Sequence, residues 1–175
     1  MMPELIVAVG VLGLLVADMS RSGRGRAISA TARIARALPF VVASALSLWV
    51  VGQAPNGRKP FQVDLSLSVE DLARSMTKVA HFRSIAILFL MAVLAVGSRR
   101  LLLALALTML VGLGWEAAET TVIGRHARLA DLAPNLAAGV ASLAIVLVIR
   151  WTVVSLLAWR RRGSPGDEAA TIEEG

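Results

Sequence analysis

The stretch AHFRSIAILFLMAVLAVGSRRLLLALALTMLVGLGWEAAE, residues 80–119, holds two apolar runs separated by Gly97-Ser98-Arg99-Arg100. Runs this long with almost no charge are the signature of helices that cross a bilayer. About 20 residues at a rise of about 1.5 Å each match a hydrocarbon core of about 30 Å. The four-residue link is too short for anything but a tight turn, so the two helices are expected to be antiparallel neighbours. This hairpin sets the expected fold class: all-α, a polytopic membrane helix bundle.

Outward from the hairpin, three further apolar segments occur at 2–19, 34–51 and 131–149. With 80–98 and 101–118 they predict about five transmembrane helices. The whole chain is 57% hydrophobic over 175 residues and has a mean hydropathy of +0.72, high for a domain that folds in water. A net charge of +6 would fit nucleic acid, but the basic residues lie between apolar runs, where membrane orientation accounts for them. No nucleic-acid partner is therefore expected. Cysteine is absent, which excludes disulfides and thiolate chemistry. The first segment lacks a basic leading region and carries Glu4, with Arg21, Arg24 and Arg26 after it. It reads as a retained anchor rather than a signal peptide.

Basic clusters at Arg21–Arg36, Arg99-Arg100 and Arg160–Arg162 all fall on one side if there are five spans. By the positive-inside rule that side is cytoplasmic, with the N-terminus outside and the C-terminus inside. The expected organisation is an extra N-terminal helix and basic loop (1–33), a membrane domain (34–162), and a disordered acidic tail (163–175). A four-span arrangement, with the first segment on the surface, is the alternative. In the loop before the third span, Phe61, Val63, Leu65 and Leu67 alternate with polar residues and predict a short extended piece. Ser68 is placed as the cap of an amphipathic helix over 69–78. Past Arg150 the apolar run WTVVSLLAW leaves open whether the last helix continues or bends along the membrane surface.

Polar residues gather at the end opposite the hairpin turn. Counted from that turn, His81 precedes it by about as much as Glu116 follows it, so the two should lie at similar heights. Glu116 and Glu119 are three apart and share a helix face, as do Asp131 and Asn135, four apart. Lys78, His81, Glu116, Glu119, Arg125, Asp131 and Asn135 thus form one candidate cluster for ligand binding or for structure.

The pattern Lys78-x-x-His81-Phe82 resembles the K-x-x-H-F signature of VanZ-like membrane proteins. Glu116-x-x-Glu119, followed by Arg125, Asp131 and Asn135, resembles that family's second signature, E-x-x-Q…R…D…N. The match runs from about Pro39 to Ile149. Glu119 stands where glutamine is usual, Thr77 where an acid often stands, Ile85 where an aromatic is usual and Ala138 where glycine is usual. The resemblance implies a multi-pass protein of the bacterial plasma (inner) membrane, in a family whose best-known member is linked to resistance to the glycopeptide teicoplanin.

Each polar residue has two readings. Glu116 and Glu119 either hold a cationic or hydroxyl-rich headgroup or pair internally with Arg125 or Arg128. Asp131 suits the N-cap of the last span, just before Pro134. Asn135 suits hydrogen bonding between helices. His81 is an acid–base group or an interfacial histidine; a metal site would also need His126, and no metal-binding motif is present. Gly112 and Gly114, like Gly10 and Gly13, suit close helix packing. Three functions compete: binding or modulating an amphiphilic envelope ligand, acid–base catalysis on such a lipid, and a structural subunit of a membrane complex. No nucleophile elbow or P-loop favours catalysis. The expected partners are membrane lipids, an amphiphilic ligand and a membrane protein, with no cofactor.

Overall fold

The computed structural model describes residues 29–125 and 127–162, with side chains described as far as Trp159. The expected span at 2–19, Gly10 and Gly13 within it, the basic run 21–26, His126 and the tail at 163–175 lie outside the described residues. The described chain forms α1 (Ala30–Val51), β1 (Val63–Asp64), α2 (Val69–Met76), α3 (Val79–Val96), α4 (Leu101–Glu119), β2 (Ala127–Arg128), a 3-10 turn (Leu129–Asp131) and α5 (Leu132–Arg162). Four of the helices (α1, α3, α4 and α5) are long and apolar enough to cross a membrane. The protein is thus mostly helical, and its two-residue strands are a small departure from the all-α expectation.

Helix α1 starts four residues earlier than the hydropathy alone implies, because Ser29 caps it, its hydroxyl accepting from the Ala32 N–H at 3.2 Å. Pro39 sits within α1 and the helix runs through it. The α3–α4 link is the expected tight turn. Gly97 takes a φ of 91°, a conformation that a side chain would strain. At this end two arginines satisfy carbonyls near the C-terminus of α3 that lack helical partners: Arg36 Nε donates to the Leu94 carbonyl at 2.9 Å, and Arg150 Nη1 to the Ser98 carbonyl at 3.1 Å.

The core lies where α3 packs against α1, α4 and α5, around Ile85, Phe89, Val93, Ala104 and Val146. Small residues let the backbones approach. A Cβ on Gly112 would lie 3.1 Å from Asn135 Nδ2, and one on Gly114 would lie 2.8 Å from Leu48 Cδ2. Much of the remaining apolar surface faces outward, as on Ile34, Leu102 and Ile145. Helices destined for lipid leave such surface uncovered.

The last helix does not bend away after Arg150. It continues unbroken to Arg162, 31 residues in all, about 46 Å at the standard rise. Trp151 and Trp159 are both exposed on the part beyond the Arg150–Ser98 contact.

At the opposite end, two loops form a cap. Lys59 N–H donates to the Thr121 carbonyl at 2.9 Å, and Ile123 N–H to the Gly57 carbonyl at 3.2 Å. Val63 then pairs with Ala127 and Asp64 with Arg128 in a parallel ladder. Of the predicted extended piece, only Val63–Asp64 is strand. Phe61, Val63, Leu65 and Leu67 all remain exposed, so the alternation marks no buried face. The amphipathic helix starts where predicted, the Asp71 N–H donating to the Ser68 hydroxyl at 3.0 Å. It stops at Met76, and Thr77-Lys78 turns the chain into α3.

Candidate functional site

Six of the seven candidate residues are positioned by only three elements. Lys78 and His81 stand at the start of α3, Glu116 and Glu119 in the last turns of α4, and Asp131 and Asn135 at the start of α5. Arg125 is on the loop after α4. Because α3 and α4 are antiparallel about Gly97, and α5 begins at the same end, equal rise brings all of them to one level.

Asp131 is the most enclosed charge, 2% exposed. Its Oδ1 accepts from the Ser75 hydroxyl at 2.7 Å and meets Lys78 Nζ at 2.6 Å. No backbone N–H of α5 donates to its side chain among the described residues. Asp131 is therefore not the side-chain cap of the last helix. It ties the start of that helix to α2 and α3. The cause is local: a 3-10 turn over Leu129–Asp131 sets Asp131 just before the helix. The Pro134 ring, with no N–H, removes one donor that a cap would use.

Asn135, one turn deeper, links α5 to α3. Its Oδ1 lies 3.1 Å from His81 Nδ1. A carbonyl oxygen only accepts, so Nδ1–H is the donor of this contact. The Trp115 ring meets the same imidazole edge-on, centroids 6.1 Å apart at 83°. Its Nε1–H donates to the Ser47 hydroxyl at 3.0 Å, which ties α4 to α1.

The two glutamates part company. Arg125 Nη1 donates to Glu119 Oε1 at 2.9 Å on a half-exposed surface. Glu116 is buried and, among the described residues, forms no ion pair with Arg125 or Arg128, so the internal ion-pair alternative holds for Glu119 and not for Glu116; the Arg128 backbone N–H faces its carboxylate. Its electrostatic neighbours are Asp131, Glu119 and Lys78, two of them acids. Two buried atoms here have no hydrogen-bond partner among the described residues: Glu116 Oε2, an acceptor, and Asn135 Nδ2, a donor. Such atoms are costly unless something meets them. Gly112, one turn before Glu116 on α4, packs directly against that amide.

Ser75, Trp115, Gly112 and Ser47 were not among the candidates. Ser75 lies three residues before Lys78, and that spacing on a helix leading into α3 was the available signal. Ser47 carries none, because its contact with Trp115 depends on the lateral placement of α1. Arg128 faces Asp64 at 3.9 Å and Asp71 at 4.0 Å. Among the described residues, no three His, Cys, Asp or Glu side chains group as metal ligands. No protein-family model, curated protein or solved structure matches the chain.

Proposed function

We propose that this is a VanZ-like multi-pass protein of the bacterial plasma membrane that binds or modulates an amphiphilic envelope ligand. The ligand class is a lipid-linked precursor, a phospholipid or a glycopeptide-type antibiotic. The proposed topology places the cap loops outside and the Gly97–Arg100 turn in the cytoplasm, where Arg36, Arg99, Arg100 and Arg150 obey the positive-inside rule. The observation that carries the reading is the unmet pair, Glu116 Oε2 and Asn135 Nδ2. It lies beside His81 and the Lys78–Asp131 contact, at an end of the bundle where a headgroup would sit. A ligand hydroxyl fits this pair because it both donates and accepts.

The second reading is a bundle held together by its charges, serving as an accessory subunit. The Lys78–Asp131 and Arg125–Glu119 pairs favour it. Catalysis at His81 has less support, since among the described residues its ring meets Asn135 and Trp115 and no nucleophile.

Glu116→Gln separates the two main readings, because it keeps the shape and removes only the charge. Ligand binding predicts a lost envelope phenotype, such as altered glycopeptide susceptibility, with unchanged membrane abundance and thermal stability. An unchanged phenotype, or a loss that tracks failure to assemble with a co-purifying partner, refutes it. A lipid-resolved structure with density between His81, Glu116 and Asp131 is the direct check.

A further inference from the structure

A cavity of about 320 Å³ opens beside the loop ladder, lined by Lys59, Gln62, Val63, Asp64, Ala127 and Arg128. Its lining includes none of the seven cluster residues, although Lys59 Nζ meets the Arg125 carbonyl. The parallel pairing of Val63 with Ala127 and of Asp64 with Arg128 sets its walls.

Its donors are under-used. The Arg128 guanidinium approaches Asp64 at 3.9 Å and Asp71 at 4.0 Å, beyond hydrogen-bonding reach. It makes no hydrogen bond among the described residues, although a guanidinium carries five N–H donors in a fixed fork. Lys59 Nζ gives one bond, to the Arg125 carbonyl at 2.6 Å, and an ammonium has three to give. A fork and an ammonium lining one cavity match the oxygens of a phosphate.

Charge narrows the choice further. Lys59 and Arg128 share the cavity lining with Asp64, and Asp71 approaches Arg128, so charges of both signs line or border it. A purely anionic headgroup would gain from the cations and be repelled by the acids. A zwitterion matches both signs. Beside the cavity, Phe61 and Leu65 are 72% and 70% exposed, at the end of the bundle where the apolar helices stop. Acyl chains would cover such side chains.

We propose that this cavity holds a phosphoethanolamine lipid headgroup, its phosphodiester on Arg128 and Lys59 and its primary ammonium on Asp64. Phosphocholine offers no N–H to Asp64, and phosphoglycerol offers no cation. The site rests on the loop ladder and not on the reading of the Glu116 cluster.

The test uses the full chain, purified in detergent and stripped of lipid. Native mass spectrometry then follows titration with phosphatidylethanolamine, phosphatidylcholine, phosphatidylglycerol or inorganic phosphate. Phosphatidylethanolamine should bind about tenfold more tightly than the other two lipids, and inorganic phosphate should not displace it at equal concentration. Arg128→Gln should weaken phosphatidylethanolamine by about tenfold or more, the scale of a lost charge-assisted bond. Asp64→Asn should erase the preference over phosphatidylcholine while leaving phosphate-dependent retention. The Asp64 variant keeps the test decisive if Arg128→Gln misfolds. Equal binding of the three lipids, full retention by Arg128→Gln, or displacement by inorganic phosphate overturns the proposal, the last marking a simple anion site.

Discussion

At the scale of single residues, the least forgiving position is Asp131. It is fully enclosed while its partner Lys78 is 39% exposed, so the two halves of the pair are unequal. Lys78→Met leaves a buried carboxylate with, among the described residues, only Ser75 to meet it. The expected loss is about 2–4 kcal/mol, below that of a fully buried pair because solvent already screens Lys78. Asp131→Asn leaves a lysine that can turn to water and should cost less, and adding it to Lys78→Met should recover part of the loss. Thermal unfolding of the four proteins in one detergent checks this ordering. The glycines of α4 give a second contrast. Gly112→Ala drives a methyl against Asn135 Nδ2 at 3.1 Å and Ile85 Cδ1 at 3.4 Å, and should cost about 1–3 kcal/mol. Gly114→Ala meets only the end of Leu48, which can rotate, and gains helix propensity. It should be nearly neutral. Melting temperatures of the two variants, with the His81 ring resonances as a local probe, separate them.

At the scale of elements, α2 is held at its start by a reciprocal cap. The Ser68 hydroxyl donates to Asp71 Oδ2 at 2.5 Å and accepts from the Asp71 N–H. That hydroxyl, aided by Ser66 and Arg128, holds the Asp71 carboxyl below its ordinary value of 3.8. A depressed carboxylate stabilises the folded state fully above its unfolded value, and the contribution is lost as pH falls through the lower folded value. The cap should therefore be intact at neutral pH and fail only in acid below about 3.8. Ser68→Ala should return Asp71 toward the ordinary value, as read by NMR titration of its carboxyl; an unchanged midpoint would contradict the role given to Ser68. The start of α2 was legible because Ser-x-x-Asp before an apolar spacing is a local signal. Its early stop at Met76 was not, since the turn at Thr77-Lys78 is set by the Ser75 and Lys78 contacts to Asp131, in the 3-10 turn just before α5.

At the scale of the whole molecule, four long apolar helices place the Gly97–Arg100 turn at one end and the loop ladder at the other. Reporters inserted at Gly57 and after Ile123 should both read extracytoplasmic, and one at Ser98 should read cytoplasmic. Gly57 and Ser98 on the same side would invalidate the proposed topology. Hydropathy exposed the helices because lipid demands unbroken apolar length. The loop cap left no such trace. A parallel pairing of two dipeptides more than 60 residues apart has no local pattern to read, and the alternation around Val63 pointed to a face that is not buried.

The sequence by itself determined the membrane-type helical bundle, the tight hairpin and the gathering of polar residues at one end. Each follows from apolar length and from rise per residue along a helix. Only the tertiary structure decided which of those residues are paired. Glu116 and Glu119 lie about 60° apart around α4, and spacing alone treats them alike. The path of the loop delivers Arg125 to Glu119, while the close contact of α4 with α5 at Gly112 buries Glu116 beside Asp131. Helix rotation and loop path are lateral properties, and a one-dimensional pattern of hydrophobicity does not contain them.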